Sequence, residues 1–279
     1  MAIPKVLQQI SSPPKKLYFA GETLDNLLAY PRIAVVGSRN VSPYGKQITA
    51  QLVGELAQRG IVIISGLAYG VDAIAHRAAL EAGGKTIAVL PSPLEDIAPR
   101  GNRDLAQQII DSGGALVSEY NTEEYQMLKT NFVARNRLVA GLAQAVLITE
   151  AVEKSGSLHT ARFALEQGKD VLAVPGNITS TTSVGTNNLL KSGATLVTSL
   201  VDVLRALGLA EGIKARKHTP KGRNPAEQAV IDLLKRGVTD GDLLQLESGL
   251  DAAEYAQTLT MLEITGKITP LGANQWTLS

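Results

Sequence analysis

The sequence contains no cysteine, which excludes disulfides, thiol catalysis and thiolate ligation of metals. Aromatic residues make up only 4% of the chain, so a surface that binds by ring stacking has few rings to draw on: Tyr44, Tyr69 and Phe132 are the candidates. Long apolar runs are missing too. No stretch approaches the roughly 20 residues of a membrane-spanning helix, and residues 1–12 lack the basic start and apolar stretch of a secretory signal. A cytoplasmic protein with no membrane partner is expected. Histidine is scarce, and His76, His159 and His218 stand far apart with no metal-ligand spacing. His76, within a helical stretch, reads as a packing or capping residue, and no metal is expected. The phosphate-binding run G-x-x-x-x-G-K-[ST] is absent, as is a G-x-G-x-x-G turn followed by an acid, so neither a P-loop nucleotide site nor a nicotinamide or flavin cofactor is expected.

What remains is the composition of an ordinary globular protein, 44% hydrophobic and 19% charged over 279 residues, enough for one sizeable domain and a small one. The net charge of +1 conceals an asymmetry. Divided after Arg223, the chain carries 24 basic and 18 acidic residues before and 3 and 8 after, a balance of +6 against −5. A polyanion would be held by the first part.

Residues 1–31 read as an irregular lead-in with one short helix near 24–28. Across 32–209 a unit repeats: a short apolar, β-branched run, an amphipathic stretch ending in glycine, then another run. The runs are 33–36, 61–64, 86–90, 115–117, 145–149, 171–174 and 194–197. They lack clean alternation, as strands covered on both faces do. Gly60, Gly83-Gly84, Gly113-Gly114, Gly168 and Gly193 stand where helices would stop, and Ser42-Pro43 reads as a cap and first helical residue. The expected fold is an extended Rossmann-like, doubly wound, mainly parallel α/β sheet. Residues 210–224, rich in lysine and arginine, read as a linker. Residues 225–279 carry three helical stretches and two short strands, a small C-terminal winged helix. Its third helix has Glu254 and Glu263 and no basic residue, which favours protein contact over phosphate contact.

In an open α/β sheet ligands bind at the carboxyl ends of the strands. The residues there are Gly37-Ser38-Arg39, Ser65 through Gly70, a loop holding Arg100 and Arg103, Ser118-Glu119-Tyr120, Glu150 leading to Ser155-Gly156-Ser157, and Pro175-Gly176-Asn177. Small residues ahead of a helix leave backbone N–H groups free for a phosphate. Gly66–Gly70 and Ser155–Ser157 are two such cradles, which with Arg39 on the same edge favour an anion site over mere tight turns. Phe132 with Arg135, Asn136 and Arg137 combines an aromatic ring and guanidiniums, a means of holding a single strand. On a helix Arg135 and Arg137 fall on different faces, and a structural ion pair with Glu119 or Glu150 is an equal reading for one of them.

Taken together, Val36-Gly37-Ser38-Arg39, Ser65-Gly66-Leu67-Ala68-Tyr69-Gly70-Val71-Asp72 with Ala75-His76, Ser118-Glu119-Tyr120, Arg135-Asn136-Arg137, Glu150-Ala151 before Ser155-Gly156-Ser157-Leu158, and Val174-Pro175-Gly176 resemble the DNA-processing protein A family, also called Smf. The resemblance runs from about residue 14 to 207 in order. It implies a non-enzymatic, homodimeric protein of natural transformation that binds single-stranded DNA, protects it and helps load a RecA-type recombinase. It carries binding roles onto Arg39, Arg100, the turn glycines Gly66 and Gly70, and Arg135, Asn136 and Arg137. The sequence departs from the family pattern at Pro91-Ser92-Pro93-Leu94-Glu95-Asp96, where glycines are usual, and at Val133, where proline is usual. The rival reading is a nucleotide phosphoribohydrolase of related fold. Those enzymes place a glutamate close behind a glycine-rich phosphate loop; here no glutamate follows Ser155-Gly156-Ser157 until Glu166.

Overall fold

The computed structural model describes residues 3–123, 125–126, 128–209, 222–272 and 274–278. The chain divides into two compact units, residues 1–213 and 214–279. Residues 210–221, which hold most of the expected linker, lie outside the described residues.

Short apolar runs with no polar face can be buried only in a sheet covered on both sides, and the first unit is built that way. Its strands are β1 (Tyr18–Gly21), β2 (Arg32–Val36), β3 (Val62–Ser65), β4 (Thr86–Leu90), β5 (Ala115–Ser118), β6 (Ala145–Ile148), β7 (Asp170–Ala173) and β8 (Thr195–Leu196). Its helices are α1 (Lys5–Gln8), α2 (Leu24–Leu28), α3 (Pro43–Ala57), α4 (Val71–Glu81), α5 (Arg103–Asp111), α6 (Lys129–Leu142), α7 (Ser157–Glu166), α8 (Val184–Lys191) and α9 (Leu200–Ala206). The eight strands lie in the order β1-β5-β4-β3-β2-β6-β7-β8, all neighbours parallel except β1 against β5. Successive side chains of a strand point to opposite faces. Ala34 and Val36 of β2 therefore pack under α1, α2, α6 and α7 with Leu7, Leu27, Leu138 and Ala164, whereas Ile33 and Val35 pack under α3, α4 and α9 with Leu52, Leu56, Ala75 and Val203.

The local signals act as their chemistry requires. The Ser42 side chain accepts a hydrogen bond from the Gly45 amide at 3.0 Å and Pro43 opens α3. Glycine closes helices in the left-handed conformation, as at Gly60 (φ +74°) and Gly168 (φ +65°). Residues 1–31 are more than a lead-in. The short helix lies at Leu24–Leu28, but Tyr18–Gly21 also forms an edge strand, and Leu7, Leu24 and Leu27 are fully buried. Most of β1 is half-buried, and its backbone pairing is supplied by β5, 94 or more residues later in the chain, with Tyr18 opposite Ser118 and Gly21 opposite Ala115.

The second unit comprises α10 (Pro225–Lys235), α11 (Gly241–Ser248), α12 (Ala252–Ile264) and the antiparallel hairpin of β9 (Ile268–Gly272) and β10 (Gln275–Leu278), a winged helix. Asn224, Asp240 and Asp251 each cap a helix through a side-chain oxygen. Val230, Ile231, Leu244, Leu262 and Ile268 form the core, with Trp276 packed against it. Among the described residues no helix is long and apolar enough to cross a membrane.

Candidate functional site

Strand order reverses at β2: the chain proceeds through β3, β4 and β5 on one side and then returns to β6 on the other. At such a switch point the loops that follow the two central strands diverge and leave a crevice at their carboxyl ends. A cleft of about 540 Å³ opens there. One wall is the loop after β2, from Val36 to Asn40; the other is Val152, Ser155, Gly156, Ser157 and Thr160, after β6. Ala68 and Asp72 line its floor beside Arg135, and Lys129, Phe132, Val133 and Asn136 face it from α6. Those four α6 positions recur every three or four residues, which places them on one helical face.

The arginine after β2 is the cation best placed for a ligand. Arg39 is exposed, and its guanidinium lies over the Phe132 ring, 5.4 Å from the centroid, a cation–π geometry. Its loop is held from below. The Ser38 amide donates to the Glu150 carbonyl at 2.8 Å, and the Ser38 hydroxyl donates to the Asn40 carbonyl at 2.8 Å. Ser38 is itself buried and shapes the loop. Gly70 supports the same loop: at φ +79° it lies against the Ser38 and Arg39 carbonyls, where any Cβ would collide with backbone. Glu150, buried, accepts from the amide and hydroxyl of Ser42. It fixes the start of α3 and pairs with neither arginine of α6.

The turn from Gly66 to Gly70 does bind an anion, but the anion is internal. The Gly66 and Ala68 amides donate to one carboxylate oxygen of Asp72, at 3.0 and 3.4 Å, so these N–H groups are not free for a phosphate. Burial pushes the Asp72 carboxyl up, opposed by the Arg135 charge and the two amides. Arg135 is only 4% exposed. Its guanidinium donates to the carbonyls of Gly66, at 2.5 Å, and Val89, tying the ends of β3 and β4 to α6, and Gly66 leaves the space that it fills. Burial draws Arg135 down to about 10, with Asp72 opposing; it is therefore charged at neutral pH and faces the Asp72 carboxyl under the cleft.

The remaining sequence-derived positions divide. Asn136, Ser155, Gly156 and Ser157 line the cleft, with the Asn136 amide donating to the Gly156 carbonyl at 3.3 Å. Arg137 lies elsewhere: it makes a bidentate pair with Glu119 at 2.6 and 2.7 Å, the structural ion pair. Arg100 is outside the cleft as well, its side chain 80% exposed and 4.0 Å from Asp96. The loop after β4 is anchored by the Ser118 hydroxyl donating to the Ser92 carbonyl and the Asn102 amide donating to the Leu67 carbonyl. Tyr69 lies by Gly101 in that region. Sequence reasoning missed Lys129 and Asn40. Lys129 was recoverable from spacing, since it stands three residues before Phe132 and seven before Asn136.

The geometry has relatives. The sequence profile of the family described as DNA recombination-mediator protein A matches residues 1–208, and that of the DprA winged helix domain matches residues 214–274. Protein Smf of Escherichia coli is 39% identical over 274 residues, covering 95% of this chain and 72% of Smf. DNA processing protein DprA of Streptococcus pneumoniae is 44% identical over 198 residues, covering 71% of this chain and 68% of that protein. Among solved structures, DNA processing protein A of Helicobacter pylori, described for its single-stranded DNA binding mode, aligns with a TM-score of 0.67 at 39% identity over 74% of this chain and 93% of that one. The X-ray structure of the Streptococcus pneumoniae protein aligns with a TM-score of 0.67 at 43% identity over 72% of this chain and 70% of that one.

Proposed function

Because the chain belongs to the DNA recombination-mediator protein A family, we propose that its cleft at the β2/β6 switch point binds single-stranded DNA without altering it chemically. The observation that carries this reading is the exposed Arg39 guanidinium lying over the Phe132 ring in the lining of the cleft. A guanidinium offers a phosphate two parallel donors, and an aromatic face accepts any unstacked base. Lys129 and the small residues at the start of α7 supply further partners for the backbone. In a duplex the base faces are already stacked on one another, so the ring would have nothing to grip. On this reading the protein protects incoming DNA during natural transformation and, as a homodimer, loads a RecA-type recombinase onto it; membership of the family supports this reading.

A nucleotide phosphoribohydrolase would need a carboxylate free to activate water. Asp72 is the carboxylate among the described residues lining the cleft, and it is held by two amides beside Arg135. The observations favour binding over catalysis.

The test is affinity for labelled oligo-dT against a matching duplex at two salt concentrations. The single strand is expected to bind at least tenfold more tightly, with a log–log salt slope near −1.4 if Arg39 and Lys129 each neutralise one phosphate, at about 0.7 per contact. Equal affinity for the duplex, or affinity indifferent to salt, would overturn the reading.

A further inference from the structure

A second cavity, of about 450 Å³, lies beside the cleft between the start of α3 and the turn after β7. We propose that it is a nucleobase subsite for the same strand, taking a base one or two nucleotides along from those held by Arg39 and Phe132. The proposal rests on the single-strand reading above and adds a path and an occupant.

Position argues first. Val36 pairs with Ile148 and Ile148 with Ala173, so the loops after β2, β6 and β7 leave the sheet at one level. The segment from the end of β2 into the first turn of α3 serves both spaces, since Val36 to Asn40 wall the cleft and Ser42 and Tyr44 wall the cavity. Neighbouring strands are about 4.8 Å apart, so β7 stands about 10 Å from β2, a step that a flexible strand crosses in very few nucleotides.

Chemistry argues second. The lining residues are Ser42, Tyr44, Pro175, Gly176, Asn177 and three hydroxyl residues from 180–183, with no charged side chain. Such a lining does not suit a phosphate, whereas a base needs one flat face and a few mixed donors and acceptors. Tyr44 supplies the face: it is 47% exposed, yet its hydroxyl donates to the Pro175 carbonyl at 2.9 Å, which fixes the ring. Burial and then the Glu150 charge push that hydroxyl up, which keeps it a donor. The Asn177 side-chain oxygen is taken by the amide and hydroxyl of Thr179, at 3.0 and 2.9 Å, so its NH₂ is the end left to offer. Gly176 lies against the Ser183 hydroxyl, and a side chain there would cover it. Ile178, 90% exposed, stands in the same turn.

The experiment measures affinity against oligo-dT length for the full chain, together with Tyr44→Ala and Tyr44→Phe. Wild-type affinity is expected to climb as length passes what the cleft alone holds. Tyr44→Ala should remove that climb, weakening long oligomers about tenfold, as expected for one stacked base, while leaving the shortest bound oligomer and the salt slope unchanged. Tyr44→Phe keeps the ring and should stay within about twofold of wild type on the same stacking argument. Photocrosslinking of oligomers carrying 5-iodouracil should label Tyr44. Equal weakening of short and long oligomers, or no weakening of either, overturns the subsite while Arg39 binding stands. Failure of the wild-type protein to bind oligo-dT at all overturns the single-strand reading and the subsite with it.

Discussion

The two units each expose a helix of nearly equal length, α6 with 14 residues and α12 with 13, and the two differ in how they begin. The first turn of α6 contains no acidic residue, and its N-cap position, Leu128, offers no side-chain oxygen; Lys129 follows at once. In α12 the Asp251 carboxylate already accepts the Glu254 amide, and Glu254 adds a second negative charge in that turn. A helix start attracts an external anion only where its own sequence has not supplied one. The exposed residues agree: Lys129, Thr130, Val133 and half-buried Asn136 on α6, against a surface on α12 that includes Glu254, Gln257, Met261, Glu263 and Ile264 and has no basic residue.

The sharpest way to break this comparison is to remove the cations of the first unit. Arg39→Ala combined with Lys129→Ala is expected to weaken oligo-dT binding about a hundredfold, at roughly 1.5 kcal/mol for each charge-assisted hydrogen bond, and to flatten the salt slope by about 1.4. Fluorescence anisotropy across a salt series reads both, and unchanged values would move the site elsewhere. Arg205→Ala, an exposed arginine of α9 beside Asp202, serves as the control.

A second difference concerns acid. His76 is fully buried, with Nδ1 2.7 Å from the Thr86 hydroxyl; burial, and then the Arg135 charge, lower it to about 3. A base whose pKa falls on folding is held neutral in the native state, so the unfolded chain takes up protons first. Its contribution is complete above about pH 6.5, the ordinary histidine value, and is lost as pH falls towards 3. Between pH 7 and 5 the first unit should lose about 2 kcal/mol through this group, whereas residues 225–279 contain no histidine. Urea melts of the wild type and His76→Gln at the two pH values check this; an equal acid loss in both would exclude His76 as its source.

The smallest expected effect is that of deleting residues 225–279. With a charge of −5, that segment opposes phosphate contact, and the shortened protein should bind oligo-dT within about twofold of the full chain, since few phosphate contacts are lost. Loss of most of the affinity by a protein that still shows a cooperative melt would put the second unit in the interface.

The parallel strands were legible because a strand buried on both faces leaves a continuous apolar run, as in Ile33 to Val36. β1 was not, because Tyr18–Gly21 is a half-buried edge whose hydrogen bonds come from β5; no local pattern records that pairing. In the cleft, Arg39, Phe132 and the residues at the start of α7 were readable from their place after a strand or along a helix. The opposite roles of Arg135 and Arg137 were not. Spacing put them on different faces, but which face met the ends of β3 and β4 and which met Glu119 depends on where the sheet lies. Nor could the Gly66–Gly70 turn be separated from a phosphate cradle by sequence, since Asp72 fills it only through the turn of α4 that brings the carboxylate back to the amides.

The chain has a single tryptophan, and Trp276 sits in β10 against the core of the second unit. Its fluorescence is therefore a local spectroscopic signal. A melt followed by tryptophan emission watches the winged helix alone, while far-ultraviolet dichroism watches both units, so two transitions could be assigned without labelling. A change of emission on adding a DNA strand would likewise report an event at the second unit, and a cleft filled in the first could stay optically silent.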